Sequence, residues 1–449
     1  MNGLQGGKML WQTRGCYSLG VQHGAYFSTS QNRNANKSFK LVVVGGGSGG
    51  CASAAKFASK LGAGQVAVIE PRDMHYYQAM WTLVGGGQKK LEQSGKPMQS
   101  VLPSKAEWIK DKVVGFDPDN SKVMTQNGDE ISYEFLVVAM GLQLNFDVIK
   151  GLPEAFETPG VSSNYDLRYV NKTWESIQQF KEGNCVFSFP NTPVKCAGAP
   201  QKIMYLTEKI LRMENRRDHA NIIYHTSLPV IFGVKKYADA LWKIVEERNI
   251  EVNLRSNLVE VRPDTREAIF QNLDKPEEAP KAVKYSMLHV TPPMSAPDVL
   301  RNSSKIVDEN GFLNVNKETL QHMNYPNIFG IGDCTNVPTS KTAAAVAGMI
   351  GILRRNLTAS MNGQPLKAKY DGYTSCPLVT GPNECILAEF DFQSPPQPLE
   401  TFPINQAKPR WTMYNMKAHV MPHVYWQMLN GWWEGPKIFR KLAHLGMSR

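Results

Sequence analysis

The stretch that decides the fold is Leu41-Val-Val-Val-Gly45-Gly-Gly47-Ser-Gly-Gly50. A β-branched apolar run entering G-x-G-x-x-G predicts a buried parallel strand, a glycine turn and a helix reaching residue 60. Further on, Gln65-Val-Ala-Val-Ile-Glu70 predicts the second strand. Glu70 stands twenty residues past Gly50, the spacing of an acid that accepts ribose hydroxyls. Gly45, Gly47 and Gly50 let the backbone approach a pyrophosphate and turn the positive end of a helix toward it. An acid on the second strand favours a ribose without 2′-phosphate, which leaves FAD or NAD. A glycine triplet alone is a weak signal. Strand, triplet, helix, strand and acid in this order make a strong one.

Two later segments choose between the cofactors. Ile131-Ser-Tyr-Glu-Phe-Leu-Val-Val-Ala-Met-Gly141 ends an apolar strand in a small-residue turn, and Asn327-Ile-Phe-Gly-Ile-Gly-Asp333 ends one in an acid. Both resemble FAD signatures of the flavoprotein oxidoreductases with two dinucleotide-binding domains. That resemblance gives Asp333 the ribityl chain of FAD, a role compatible with helix capping. Between the two segments, 185–189 and 221–224 read as strands, 201–212 and 235–247 as helices, and 252–261 as extended chain. Met287 to Met294 reads as the return to the first domain.

The fold class is therefore α/β, with two Rossmann-like domains, the second inserted in the first. The expected division is a presequence (1–38), a split FAD-binding domain (39–150 and 290–380), a second Rossmann-like domain without a glycine loop (151–289), and a C-terminal membrane- and quinone-associated region (381–449) with amphipathic helices.

The 449 residues carry a net charge of +10, concentrated at the two ends. Lys8, Arg14, Arg33, Lys37 and Lys40 precede the first acid, Glu70, and after residue 400 the only acid is Glu434. The middle of the chain has no basic stripe with interleaved aromatics, which argues against nucleic acid as a partner. The acid-poor N-terminus fits a mitochondrial presequence cleaved within 27–38; a plain basic tail is the alternative. Seven cysteines without CxxC or zinc spacing make neither a disulfide scaffold nor a metal site. No run of eighteen apolar residues exists to span a bilayer.

Where a reductase would carry its second glycine loop, the chain reads Thr192-Pro-Val-Lys-Cys196-Ala-Gly-Ala. Lys195 and a helix start both favour a thiolate at Cys196. Cys376, in Asp371-Gly-Tyr-Thr-Ser-Cys376-Pro-Leu, is expected in a loop. Cys51, Cys185, Cys334 and Cys385 read as packed residues. Lys341-Thr-Ala-Ala-Ala-Val-Ala-Gly348 reads as a small-residue helix whose start points at a flavin.

With Asn191 to Lys202, Tyr325 to Thr335 and Tyr370 to Thr380, these features resemble the mitochondrial sulfide:quinone oxidoreductases over essentially all of 39–449. Many bacterial relatives have a third redox cysteine, which has no counterpart here. The resemblance implies FAD, a redox pair Cys196–Cys376, sulfide as donor, ubiquinone as acceptor, and the inner mitochondrial membrane, on its matrix side. It also implies transfer of the oxidised sulfur to a small acceptor such as glutathione. The family's FAD contacts fall on Ser48, Gly49, Glu70, Gln78, Val113, Asp333, Lys341, Thr342, Ala343 and Ala344.

A quinone enzyme must reach lipid. Trp411, Tyr414, Trp426, Trp432 and Trp433 lie among basic residues, and Ile438, Leu442 and Leu445 share one helical face opposite Arg440 and His444. Such helices lie in the membrane interface; a core-facing helix or a homodimer contact is the alternative. A type II NADH:quinone dehydrogenase would need the missing glycine loop. A glutathione-reductase-like enzyme would need a cysteine partner near Cys51. A flavocytochrome sulfide dehydrogenase would need a haem partner, and a non-catalytic flavoprotein would be inert to every sulfur donor.

Overall fold

The computed structural model describes residues 37–399 and 404–438. The leader expectation for 1–36, and Arg440, Leu442, His444 and Leu445, fall outside them. β1 (Lys37–Val44) runs through the glycine turn into α1 (Ser48–Leu61), followed by β2 (Val66–Ile69), β3 (Glu107–Ile109), β4 (Val113–Asp117), β5 (Lys122–Thr125) and β6 (Glu130–Val138). They form a sheet in the order β3-β2-β1-β6-β5-β4. From β3 to β6 it is parallel, and β5 and β4 extend it antiparallel. The apolar run that predicted β1 is buried on both faces, as a parallel strand between helices must be. Lys37 and Ser38, assigned to the leader, are strand residues: they pair with Ile131 and Ser132, and Lys37 reaches Glu107 at 2.7 Å.

The next strands build a second sheet. β7 (Val161–Ser162), β8 (Gly183–Phe189), α2 (Ala199–Met213), β9 (Ala220–Thr226), α3 (Lys235–Glu247), β10 (Glu251–Asn253) and β11 (Met287–His289) follow in the chain. The strands pair in the order β7-β11-β8-β9-β10, all parallel. Met287–His289 thus still belongs to this sheet, because Cys185 and Val186 offer it backbone partners; the return begins only after it. Residues 252–261 are not one extended run: Arg255, at φ +54, breaks it, and Ser256–Arg262 opens a separate antiparallel sheet.

β12 (Ile328–Gly330) rejoins the first sheet, parallel to the end of β6. α4 (Ala343–Met361) follows, then the hairpin β13 (Thr374–Gly381) and β14 (Glu384–Phe390). Cys376 therefore lies in a buried strand, not in the loop its turn-forming neighbours suggested. Pairing with Ala388 across the hairpin and packing against α2, which is far away in sequence, decide this. Last come α5 (Trp411–Asn415), a π-helical turn (Met416–Val420) and α6 (Met421–Leu429). Among the described residues no helix is long and apolar enough to cross a membrane.

α2 carries a buried charge that ties down the second sheet. Glu208 is fully buried, with Arg212 at 2.5 Å, Arg217 at 3.3 Å and Arg248 at 3.4 Å. Removing one side of such a cluster leaves uncompensated buried charge. Glu208→Gln is expected to cost about 3 kcal/mol, read as a lowered thermal midpoint with FAD content per folded molecule unchanged.

Candidate active site

The glycine turn is shaped by contacts that leave no room for side chains. Gly45 has φ +101, and a Cβ on Gly50 would stand 1.7 Å from the Gly45 carbonyl oxygen. Gly47 is the N-cap of α1 with no side-chain cap, so the first-turn amides face outward. Glu70 closes the turn: its carboxylate accepts the Gly46 amide at 2.8 Å and the Arg72 amide at 2.9 Å. Val113 begins β4 a short turn after Ile109, whose carbonyl accepts the Glu70 amide at 3.1 Å. Ser48 turns its hydroxyl to Tyr425, at 2.9 Å.

A second group gathers at the start of α4. Thr342 caps that helix, accepting the Ala345 amide at 3.0 Å, with Ala343 and Ala344 next in line. Lys341 donates to the Thr335 carbonyl at 3.0 Å. Burial holds the Asp333 carboxyl above its ordinary range, opposed by Lys341 and Lys195. Lys195 is pushed down to about 8 by burial and donates to Gln78 Oε1 at 2.6 Å. Pyrophosphate amides, a ribose acid and a polar group at a helix start are what FAD requires, and the residues fit it.

The thiol pair sits beside this second group. Cys196 adopts φ +52, a left-handed conformation uncommon for a side chain. Its amide donates to the Lys341 carbonyl at 2.8 Å, and Tyr165 donates to its carbonyl at 3.2 Å. Its sulfur receives Lys202 Nζ at 3.2 Å, and the Cys376 thiol lies near enough to shift its titration. Both cysteines are free thiols, Cys196 half-buried and Cys376 buried. The Cys376 hydrogen bond, then Lys202, hold the Cys196 thiol well below its ordinary range against burial. Cys376, as the donor and buried, is held well above it. The site thus favours Cys196 as thiolate and Cys376 as thiol.

The cation on the thiolate is therefore Lys202 and not Lys195. The left-handed turn at Cys196 sends neighbouring side chains apart, Lys195 toward Gln78 and the sulfur toward α2. Lys202 and Lys417 were missed in the sequence. Lys202 lies six residues past Cys196 on a helix that is buried almost throughout, which was a usable signal. Lys417 looked like one more basic residue of the C-terminal segment. It is buried on the π-helical turn, donates to the Ala79 carbonyl at 2.7 Å, and is pushed down to about 8 by burial and by Lys202. A cavity of about 440 Å³ opens beside Lys341, lined by Pro193, Met294, Arg301, Asp308 and Phe312.

Residues 39–348 match the pyridine nucleotide-disulphide oxidoreductase family. Over 415 residues the chain is 56% identical to the mitochondrial sulfide:quinone oxidoreductase of Mus musculus, covering 92% of this chain and 91% of that protein. The chain belongs to the sulfide:quinone oxidoreductase family. The corresponding protein of Dictyostelium discoideum is 42% identical, with 91% and 90% covered. The crystal structure of the sulfide:quinone oxidoreductase from Aquifex aeolicus has the same fold, with TM-score 0.77, 21% identity, and 92% of this chain and 95% of that one covered. Like its family, the chain is an FAD-dependent oxidoreductase. Cys196 lies in the turn between β8 and α2 of the second sheet.

Reduced protein is expected to be alkylated by iodoacetamide first at Cys196, at pH values where an ordinary thiol is protonated. Removing a stabilising partner raises the thiol's pKa. Lys202→Met and Cys376→Ala are therefore each expected to move the midpoint of the alkylation pH profile upward. Unchanged midpoints would show that neither group holds the thiolate.

Proposed function

We propose that this protein oxidises hydrogen sulfide through Cys196 and Cys376, passing two electrons to ubiquinone and the oxidised sulfur to a small thiophilic acceptor such as glutathione. The single observation that carries the reading is the meeting of Cys196, on the turn after β8, and Cys376, on β13, beside a buried lysine whose Nζ lies 3.2 Å from the Cys196 sulfur. Starting from the disulfide, hydrosulfide attacks the Cys376 sulfur. The disulfide bond breaks, Cys196 leaves as thiolate on Lys202, and Cys376 carries the new sulfur as a persulfide. The acceptor's thiolate takes the outer sulfur, which breaks the persulfide bond and leaves the reduced pair. Closing the disulfide again releases two electrons, and bound FAD supplies the two-electron relay between dithiol and quinone.

FAD contacts are assigned to the backbone of Gly45, Gly47, Ser48, Gly49 and Gly50, to Glu70, Gln78 and Val113, and to Asp333 and Lys341 through Ala344. Residues 39–150 with 290–380 would form the FAD-binding domain, 151–289 the second Rossmann-like domain and 381–449 the membrane-facing region. The expected place is the matrix side of the inner mitochondrial membrane. The relatives' mitochondrial names support the organelle. Exposed Trp411, Val420, Trp432 and Ile438, in a segment with one acid, support peripheral contact with lipid. Tyr414 does not share that role, being buried against β14; Trp426 and Trp433 are partly buried against the hydrophobic core around the first sheet.

The first test is anaerobic flavin absorbance with sulfide or NADH as donor. Bleaching by sulfide and recovery with a soluble ubiquinone analogue are expected; bleaching by NADH alone would overturn the reading. Cys196→Ser and Cys376→Ser are each expected to bring turnover to background with FAD retained. Trp411→Ser combined with Trp432→Ser is expected to lower partition into cardiolipin-containing vesicles at least several-fold. Soluble-quinone turnover should stay unchanged.

A further inference from the structure

The C-terminal segment reaches back to the glycine turn. Tyr425 Oη on α6 lies 2.6 Å from His75 Nε2 and 2.9 Å from Ser48 Oγ, and His75 Nδ1 lies 2.9 Å from the Gly46 carbonyl oxygen. A carbonyl only accepts, so Nδ1 bears the proton. Nε2 then accepts from Tyr425, and Tyr425 accepts from Ser48. Burial pushes His75 down to about 4, which keeps the ring neutral in this tautomer. Tyr77, next to Gln78, stacks on Tyr425 at 4.2 Å. The Ser48 side chain is thereby held away from the first-turn amides of α1, which stay uncapped.

The same segment grips both helices whose starts face the cofactor position. Glu434 reaches Lys56 of α1 at 2.8 Å and Arg354 Nη2 of α4 at 3.0 Å. Lys56 also donates to the Gly431 carbonyl. Gly431 (φ +80) rests on Ala55 of α1, and Gly435 (φ +96) lies so close to α4 that a Cβ would meet the Ala347 carbonyl oxygen at 2.4 Å.

We propose that residues 421–435 clamp the FAD site, with Tyr425 as the positioning residue of the pyrophosphate turn, so that FAD binding and docking of this segment strengthen each other. The inference rests on the FAD placement proposed above. Coupling of this kind is reciprocal: whatever the docked segment adds to FAD affinity, FAD returns to docking. A merely structural contact would stabilise the fold and leave that exchange absent.

The test compares full-length protein with and without FAD. Hydrogen exchange across 421–435 is expected to be at least tenfold faster in the apoprotein. Tyr425→Phe is expected to raise the FAD dissociation constant about 5- to 10-fold, the weight of one hydrogen bond. The apoprotein's thermal midpoint is expected to fall modestly as well, because His75 Nε2 loses its donor, so FAD affinity measured on folded protein is the deciding readout. Ser48→Ala combined with Tyr425→Phe should weaken FAD binding by less than the product of the single effects. Equal exchange with and without FAD, together with normal FAD affinity in Tyr425→Phe, would overturn the proposal. If Ser48→Ala binds FAD normally while Tyr425→Phe does not, the Ser48 contact is wrong and the clamp stands.

Discussion

The site depends on one backbone contact between the halves of the chain: the Cys196 amide on the Lys341 carbonyl, at 2.8 Å. It joins the turn leaving the second sheet to the residue that leads into α4. The left-handed backbone of Cys196 costs on the order of 1–3 kcal/mol and persists only where surroundings enforce it. That hydrogen bond, the Tyr165 hydroxyl and the start of α2 provide the enforcement. The turn then places one sulfur against α2 and β13 while its neighbour Lys195 faces Gln78 and Asp333.

Burial makes the electrostatics of the pair steep. Lys202 and Lys417 both lie almost wholly out of water near the sulfurs. One thiolate can support one ammonium well. Lys202, in direct contact with Cys196, is held above its ordinary range, whereas Lys417 is pushed below its own. The proton carried by each cysteine and lysine thus depends on the others, and the group titrates as a unit. Oxidation to a disulfide removes the thiolate charge that favours Lys202 as a cation. The redox state of the pair and the protonation of α2 are therefore linked.

The C-terminal segment divides its aromatics between two tasks. Tyr414 and Tyr425 pack inward, Tyr425 on the glycine turn, while Trp411 and Trp432 remain in solvent. An aromatic and basic composition fits both a membrane face and a core face, because Trp and Tyr join an apolar body to a polar tip. Periodicity over helices as short as α5 and α6 could not separate the two.

The sequence by itself determined β1, β2, β6 and β12 of the first sheet, the glycine turn with its acid and the helix after Asp333, and it singled out Cys196 as a candidate. Each is a local code: an apolar run followed by glycines, or an acid at fixed spacing, has few conformations that satisfy its backbone. Tertiary structure decided what arrives from elsewhere in the chain. Cys376 was legible as a candidate but not as a strand residue, since its hairpin is fixed by Ala388 and α2. Lys202 and Lys417 became partners of a thiolate only once α2 and the π-helical turn converged on it. Tyr425 reached Ser48 across most of the chain. Burial and proximity create these charges and hydrogen bonds, and both belong to the packed molecule rather than to any window of sequence.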